Sequence, residues 1–529
     1  DSIISLQLVA RAHKAGITLT TRNVFQHKTV EALATVVTFT TDEPTTHDDG
    51  QGTIPLTPVM LELQRRAELA DGPHQTMVVW TPAELDLPGL TQAVQAVLDQ
   101  HAGLRLELPG DRLTALPPGR IPAEAITCRV DASDGTDAIR EHAEAAIARL
   151  DPRSGIMLQA VWFDAGPREL GRLLLVAHHL SVDAVSWRIL LTDLAEAWQA
   201  VAAGRAPRLD PVPTSFRSWA TALAAAANDP VRTAELPWWT GQLGRTSRLS
   251  TRWSPRSGDP GSPGQLRMVL PEPTTDALLR AVQAAFHADL DDVLLTALVL
   301  AVADWCRTER ITDVGDNAVL IDLERHGREA DVVPGADLSR TVGWFTSVHP
   351  VRLDPGRVHW TDIRSGGPGI GQALKRIKEQ LRAVPDHGIG YGMLRHLNKD
   401  TGPVLAGLGG APLALNYLGR VADSAVEPWA AVPDDDAGHG TPTTLAHPVE
   451  IDAIVRDGAA GPRLVTHWAW AGSTAEADVR GLAEAWFRAL DALVRCAGRT
   501  GSGGRTPSDL DLVSLTQDEI DQLESEWGR

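Results

Sequence analysis

Short apolar runs alternate with long Ala- and Leu-rich runs over most of this chain, and no other feature restricts its fold as much. MVVWTPAELD (77–86), IMLQAVWFDAG (156–166) and RLLLVAHHLSV (172–182) have the length and β-branched or aromatic content of strands. LTQAVQAVLDQ (90–100) and AVSWRILLTDLAEAWQAVAAG (184–204) lie between and after them and read as helices. A Pro- and Gly-rich stretch, SPRSGDPGSPGQ (254–265), precedes a second series, with LRMVLPE (266–272), TDALLRAVQAAF (275–286) and DDVLLTALVLAVADWC (291–306). This alternation specifies an α/β class with helices layered on sheets, arranged as two similar lobes without a clean internal repeat. With 529 residues and 43% hydrophobic content the chain has enough apolar side chains for more than one core.

The ends read differently. DSIISLQLVARAHKAG starts on helical spacing at Asp1, Thr29 is placed to cap a second helix through VEALATVV, and TDEPTTHDDGQG follows as a polar linker. Residues 1–38 therefore read as a partial helical bundle, too small to close a core alone, with sequence expected upstream, and 39–52 as a linker. The strand–helix series divides into lobes over 53–228 and 229–497. The tail, 498–529, opens Gly- and Ser-rich and closes in a short acidic helix, which reads as a spacer.

Charge and cysteine content narrow the function. A net charge of −19 argues against nucleic acid or an anionic membrane as partner. Cys128, Cys306 and Cys496 fit neither a disulfide framework nor a thiolate metal site, so a reducing cytoplasmic setting is expected. No apolar run is long enough to span a bilayer, and no signal peptide is legible.

Chemistry concentrates where RLLLVAHHLSVDAVSW ends its strand in two adjacent histidines followed by Asp183. A metal site, a buried structural pair and a general base are the alternatives. Successive strand residues point to opposite faces, which disfavours chelation by His178 and His179 together, and no HExxH or comparable cluster offers further ligands. An isolated HH pair is ordinarily structural, but HHxxxDxxSW is a more specific pattern, compatible with one imidazole fixed by packing while the other faces a cleft as base.

HHLSVDAVSW (178–187), ERHGRE (324–329), RTVGWFTSVHPV (340–351), PDHGIGYGMLR (385–395) and LNYLGR (415–420) occur in the order of the signature motifs of epimerization domains from nonribosomal peptide synthetases, relatives of condensation domains. The resemblance covers about 53–497, and DSIISLQLVARAHKAG is similar to the helix after the modified serine of a peptidyl carrier domain. It implies two chloramphenicol-acetyltransferase-like lobes forming a V around a tunnel, preceded by part of an all-α carrier bundle. It also implies a 4′-phosphopantetheine arm on Ser2, with no metal, nucleotide or PLP. The implied reaction inverts the Cα of an aminoacyl or peptidyl thioester held on that arm, with an upstream adenylation domain and a downstream condensation domain as partners.

Removing a Cα proton beside a thioester needs a base, enolate stabilisation and a proton source on the opposite face. By similarity His179 and Glu324 are the two proton-transfer groups, Asn416 and Tyr417 are either donors near the cleft or parts of a well-packed strand end, and His178, Asp183 and Trp187 orient the site. Asp183 is expected to pair with Arg325 or Arg340, and Glu324 to be partly desolvated. The sequence departs from the family pattern at Ala184, Arg325 and His349, and in IPLTPVMLELQ, where an aromatic-rich element is usual. Arg325, next to Glu324, is expected to lower its pKa. The competing readings are a condensation domain, which shares the HHxxxD core, and a silent domain that only docks a carrier.

Overall fold

A computed structural model describes residues 8–9, 11–12, 15–19, 23–24, 27, 29–39, 48–66, 68–131, 135–244, 249, 253, 263–311, 317–333, 335–422, 426–432, 445–499, 501–510 and 513–527. Ser2, and most of the first helix read from the sequence, lie outside these residues. Thr29 does cap a helix, accepting from the Ala32 amide at 3.1 Å, but that helix is only Val30–Ala34.

The N-terminal lobe comprises β1 (Gly52–Ile54), β2 (His74–Thr81), α1 (Leu87–Gln100), β3 (Leu106–Glu107), β4 (Leu113–Ala115), β5 (Thr127–Asp131), α2 (Gly135–Ile147), β6 (Leu158–Asp164), β7 (Gly171–His178) and α3 (Ala184–Ala202). Its main sheet has the order β2-β7-β6-β5, and a small sheet has the order β1-β4-β3. β7 is central and almost wholly buried, which is why its sequence is a continuous apolar run rather than an alternating one. It stops where Asp183 turns the chain into α3, the Asp183 carboxylate accepting from the Ser186 amide at 2.7 Å. Such a cap is worth about 1 kcal/mol.

The C-terminal lobe is built on one six-stranded sheet. Its strands are β8 (Gly264–Leu270), β9 (Val319–Arg325), β10 (Ser347–Leu353), β11 (Leu413–Ala422), β12 (Val449–Gly458) and β13 (Gly461–Trp470), in the order β8-β13-β12-β11-β9-β10. The central pairs β9–β11 and β11–β12 are parallel, and the outer pairs are antiparallel. The helix Leu290–Thr308, buried on nearly every side, and the amphipathic helix Glu476–Ala497 cover it, with Trp486 fully buried between them and the sheet. The two lobes are mixed helix-and-sheet units as expected, but they are unequal in strand number.

Chain order and spatial order part company at the lobe boundary. Trp429–Val432 follows β11 yet pairs with the edge of β2, with Trp80 N to Ala430 O at 2.9 Å and Val432 N to Val78 O at 2.8 Å. Likewise Val342 sits in the core of the N-terminal lobe, and Trp344 and Phe345 pack with Phe216, Trp219 and Leu180. These segments lie beyond residue 229 in sequence yet supply an edge pairing and core side chains to the N-terminal lobe.

The tail is no free spacer. Gly504 N donates to Ala285 O at 2.8 Å, Lys378 Nζ lies 2.6 and 2.7 Å from the Asp509 carboxylate oxygens, and Lys375 Nζ lies 2.9 Å from Asp521. Lys378 is 1% exposed, so the tail supplies the counter-charge that makes its burial tolerable.

Candidate active site

β7 ends at His178, and the chain turns at His179, whose amide donates to Pro73 O at 2.9 Å. His178 is buried, its Nδ1 accepts from the Leu180 amide at 3.2 Å, and burial pushes its pKa down to about 4, so it packs as a neutral ring. His179 retains some access to solvent while stacking against Trp344 at a ring separation of 4.2 Å. Burial lowers its pKa as well, so the ring is uncharged at neutral pH. Its Nε2 lies 2.9 Å from Gln75 Nε2 on β2, and Gln75 Oε1 accepts from Trp187 Nε1 at 2.8 Å.

Asp183 does not pair with Arg325 or Arg340. Its partner is Arg328, whose Nη2 lies 2.8 and 3.0 Å from the two carboxylate oxygens and 3.1 Å from Ser186 Oγ, all buried. The reason is local geometry. Gly327 takes φ +63 and passes so close to the Phe345 carbonyl that a Cβ there would sit 1.8 Å from its oxygen; this turn brings Arg328 inward. Arg340 instead meets Asp193 at 2.8 and 2.9 Å, beside the His101–Asp193 contact of 2.6 Å. Asp183 and Arg328 each lie four residues beyond a candidate site residue, His179 and Glu324. Their ion pair thus ties together the segments that carry the two.

Glu324 and Arg325, adjacent on β9, follow the alternation of a strand. Arg325 pairs with Asp291 of the Leu290–Thr308 helix, on the far face of the sheet. Glu324 lies on the opposite face, level with Asn416 on β11, which is level with Asp452 on β12. Asn416 Nδ2 donates to Glu324 Oε1 at 3.2 Å, and the same side chain hydrogen-bonds to Asp452. The expectation that Arg325 lowers the Glu324 pKa is therefore reversed. Burial, then the charges of Asp452 and Glu450, raise it to about 8 against the pull of His447.

The rest of that face is charged and tightly paired. Burial and Glu450 raise Asp452 to about 7. His447 lies between two carboxylates, with Nε2 2.8 Å from Asp322 Oδ2 and Nδ1 3.2 Å from Glu450 Oε1. Burial opposes its charge, but the two hydrogen bonds prevail and raise its pKa to about 10. Tyr417 does not join this group. One residue beyond Asn416, it faces the other side of β11 and packs against the main core, near Asp291 and Arg420.

Gly388, in the motif at 385–395, has φ +90, and a Cβ there would meet the His349 ring at 2.1 Å, so the loop's close approach to β10 requires glycine. Among the described residues no group of three or more His, Cys, Asp or Glu side chains is arranged to hold a metal ion, and no helix is long and apolar enough to cross a membrane.

Of the residues singled out in the sequence, the structure brings Glu324 together with Asn416 and sets Asp183 four residues beyond His179; Gln75, Arg328, Asp452 and His447, which the sequence did not single out, are their neighbours. Period-two counting along LNYLGR separates Asn416 from Tyr417, and along ERHGRE it separates Glu324 from Arg325. By contrast, Gln75 and Asp452 carry no motif, and only strand pairing brings them in.

The condensation-domain family model matches residues 51–431. The chain belongs to the condensation-domain family. It is 33% identical over 548 residues to a linear gramicidin synthase protein of Brevibacillus parabrevis, covering 99% of this chain and 7% of that protein. It is 32% identical over 540 residues to chondramide synthase cmdD of Chondromyces crocatus, covering 98% of this chain and 13% of that one. The chain thus spans only a small part of these relatives' length. Among solved structures it matches the epimerization domain from the third module of tyrocidine synthetase B, with TM-score 0.68 and 25% identity over 86% of this chain and 100% of that one. The first condensation domain of the calcium-dependent antibiotic synthetase shares the fold, with TM-score 0.58 and 18% identity over 85% of this chain and 98% of that one.

Proposed function

We propose that this domain epimerizes the Cα of an aminoacyl or peptidyl thioester carried on a 4′-phosphopantetheine arm, using His179 and Glu324 as the two proton-transfer groups. One observation carries the reading: at neutral pH His179 is an uncharged imidazole, able to accept a proton, while Glu324, raised to about 8, holds a proton to give. Inversion requires such a pair, a filled and an empty site, with the substrate between them. Asn416 can hold the Glu324 carboxyl toward the substrate, since its amide donates to that oxygen. The similarity to the tyrocidine synthetase B epimerization domain supports the same reading.

In the forward step the Cα–H bond breaks, its proton goes to His179, and the electron pair delocalises toward the thioester oxygen. Glu324 then delivers its proton to the other face, and the roles exchange for the reverse reaction. Residues 1–38 are proposed as part of the carrier that delivers the substrate, with Ser2 bearing the arm. An adenylation domain upstream and a condensation domain downstream would supply and consume the thioester.

The test loads an α-deuterated L-aminoacyl group onto a complete carrier joined to this chain and follows deuterium loss and chirality. Washout with appearance of the D form is expected. Retained deuterium with only L product recovered overturns the proposal, and transfer to an acceptor carrier without Cα exchange would identify a condensation domain instead.

A further inference from the structure

The contacts around His179 specify more than its position. A tryptophan indole nitrogen is a donor and nothing else, so the atom that Trp187 Nε1 meets at 2.8 Å must be the Gln75 carbonyl oxygen. That fixes the amide. Its nitrogen, also only a donor, is then the atom 2.9 Å from His179 Nε2, and the ring must accept there. Trp187 is 4% exposed and belongs to the core of the N-terminal lobe, so the orienting group is itself held by packing.

We infer that Gln75, oriented by Trp187, is a positioning residue that holds His179 as the Nδ1–H tautomer with its lone pair on Nε2. This rests on the assignment of His179 as a proton-transfer group. When Nε2 gains the Cα proton, it faces an N–H of Gln75 instead of an acceptor, and the hydrogen bond is lost. Turning the amide to offer its oxygen would break the bond to Trp187. The imidazolium is therefore left unsupported at Nε2, which favours handing the proton on. The other titratable groups that act on the ring are His74 on β2 and His178 and Asp183 on its own segment, Asp183 being paired with Arg328. None of them supplies an acceptor to Nε2.

The test uses the full chain with 15N-labelled histidine, the His179 ring signals being assigned by their loss in His179→Gln. The wild type is expected to show the Nδ1–H tautomer at pH 7. Gln75→Leu is expected to show a mixture of tautomers. Gln75→Glu, which offers an acceptor, is expected to place a proton on Nε2 and raise the titration midpoint. Deuterium washout from the thioester at pH 7 should then fall about tenfold for each unit by which the midpoint exceeds 7, and recover as pH is raised. Trp187→Phe frees the amide to turn and should give a tautomer mixture with Gln75 intact, a second route should Gln75→Leu fold poorly. An Nε2–H ring in the wild type, or spectra unchanged in Gln75→Leu and Gln75→Glu, overturns the inference. If the tautomer is as stated and no washout occurs in the wild type, the epimerization reading fails and the tautomer assignment stands.

Discussion

The end of β7 and the shared face of β9, β11 and β12 both keep a titratable group uncharged near neutral pH, and they do so by different physics. At His179 the means are burial against Trp344 and a neutral amide at Nε2, while the nearby Asp183 charge is consumed by Arg328. At Glu324 burial is reinforced by a cluster of like charges, from Asp452 and Glu450, only partly offset by the His447 cation. The difference teaches that the first group depends on a few oriented contacts and the second on the sum of a charge network. The histidine wall should therefore be sensitive to geometry and the carboxyl wall to charge.

The largest effects should come from removing either group. His179→Ala and Glu324→Gln are each expected to lower Cα exchange by roughly 10²–10⁴-fold, the usual contribution of a positioned acid or base. Deuterium washout measured separately from L and D thioesters checks this, and unequal losses for the two would show which wall serves which antipode. Wild-type exchange in both variants would remove the two-group comparison altogether.

Next is the tie between the walls. Arg328→Met leaves the Asp183 carboxylate buried without a partner and is expected to cost about 3–5 kcal/mol of stability, read by urea unfolding. Because Asp183 also caps α3, the loss should reach the helix that carries Trp187. A variant as stable as wild type would mean that the two segments are held by packing alone.

Charge dependence separates the walls most directly. Asp452→Asn removes a negative neighbour, so the Glu324 pKa should fall and the alkaline limit of the step that needs a protonated Glu324 should move to lower pH, while the limb set by His179 stays. Stability carries the same signature. The folded-state pKa of Glu324, about 8, lies above the unfolded value, so its favourable contribution is complete at acid pH and is lost as pH rises through 8. Glu324→Gln, inactive, should then gain stability over wild type increasingly between roughly pH 4.3 and 8 and hold that gain at higher pH. Urea unfolding at pH 5.5, 7 and 9 checks it, and a constant difference would show that the carboxyl is not perturbed in the folded state.

How much of this was legible in the sequence depends on the range of the interaction. The α/β layering and the strand ending at His178 follow from local runs, and ordered motifs single out His179, Glu324 and Asp183 as candidates. The partner of Asp183 was not legible, because the inward turn at Gly327 makes Arg328, rather than the nearer motif arginine Arg325, the buried one. Gln75 and Asp452 were hidden for another reason, since β2 reaches β7, and β12 reaches β11, only through sheet pairing across long sequence separations. The docking of the tail was missed because a Gly- and Ser-rich stretch looks the same whether or not lysines wait to meet its aspartates.

The smallest effects should come from the residues that alternation turns away from the site. Arg325 pairs with Asp291 on the helix side of the sheet, and Tyr417 packs there too, although both adjoin site residues in sequence. Arg325→Gly and Tyr417→Phe are therefore expected to leave the pH profile of Cα exchange in place, with rates within about threefold of wild type, since neither side chain faces the Glu324 carboxyl. The Arg325 variant is the more telling of the two. A cation on the same face would hold the carboxyl ionised, so its removal would shift the alkaline limb upward by a measurable fraction of a pH unit. An unmoved limb would show that the network of Asp452, Glu450 and His447 sets this wall without help from the neighbouring arginine.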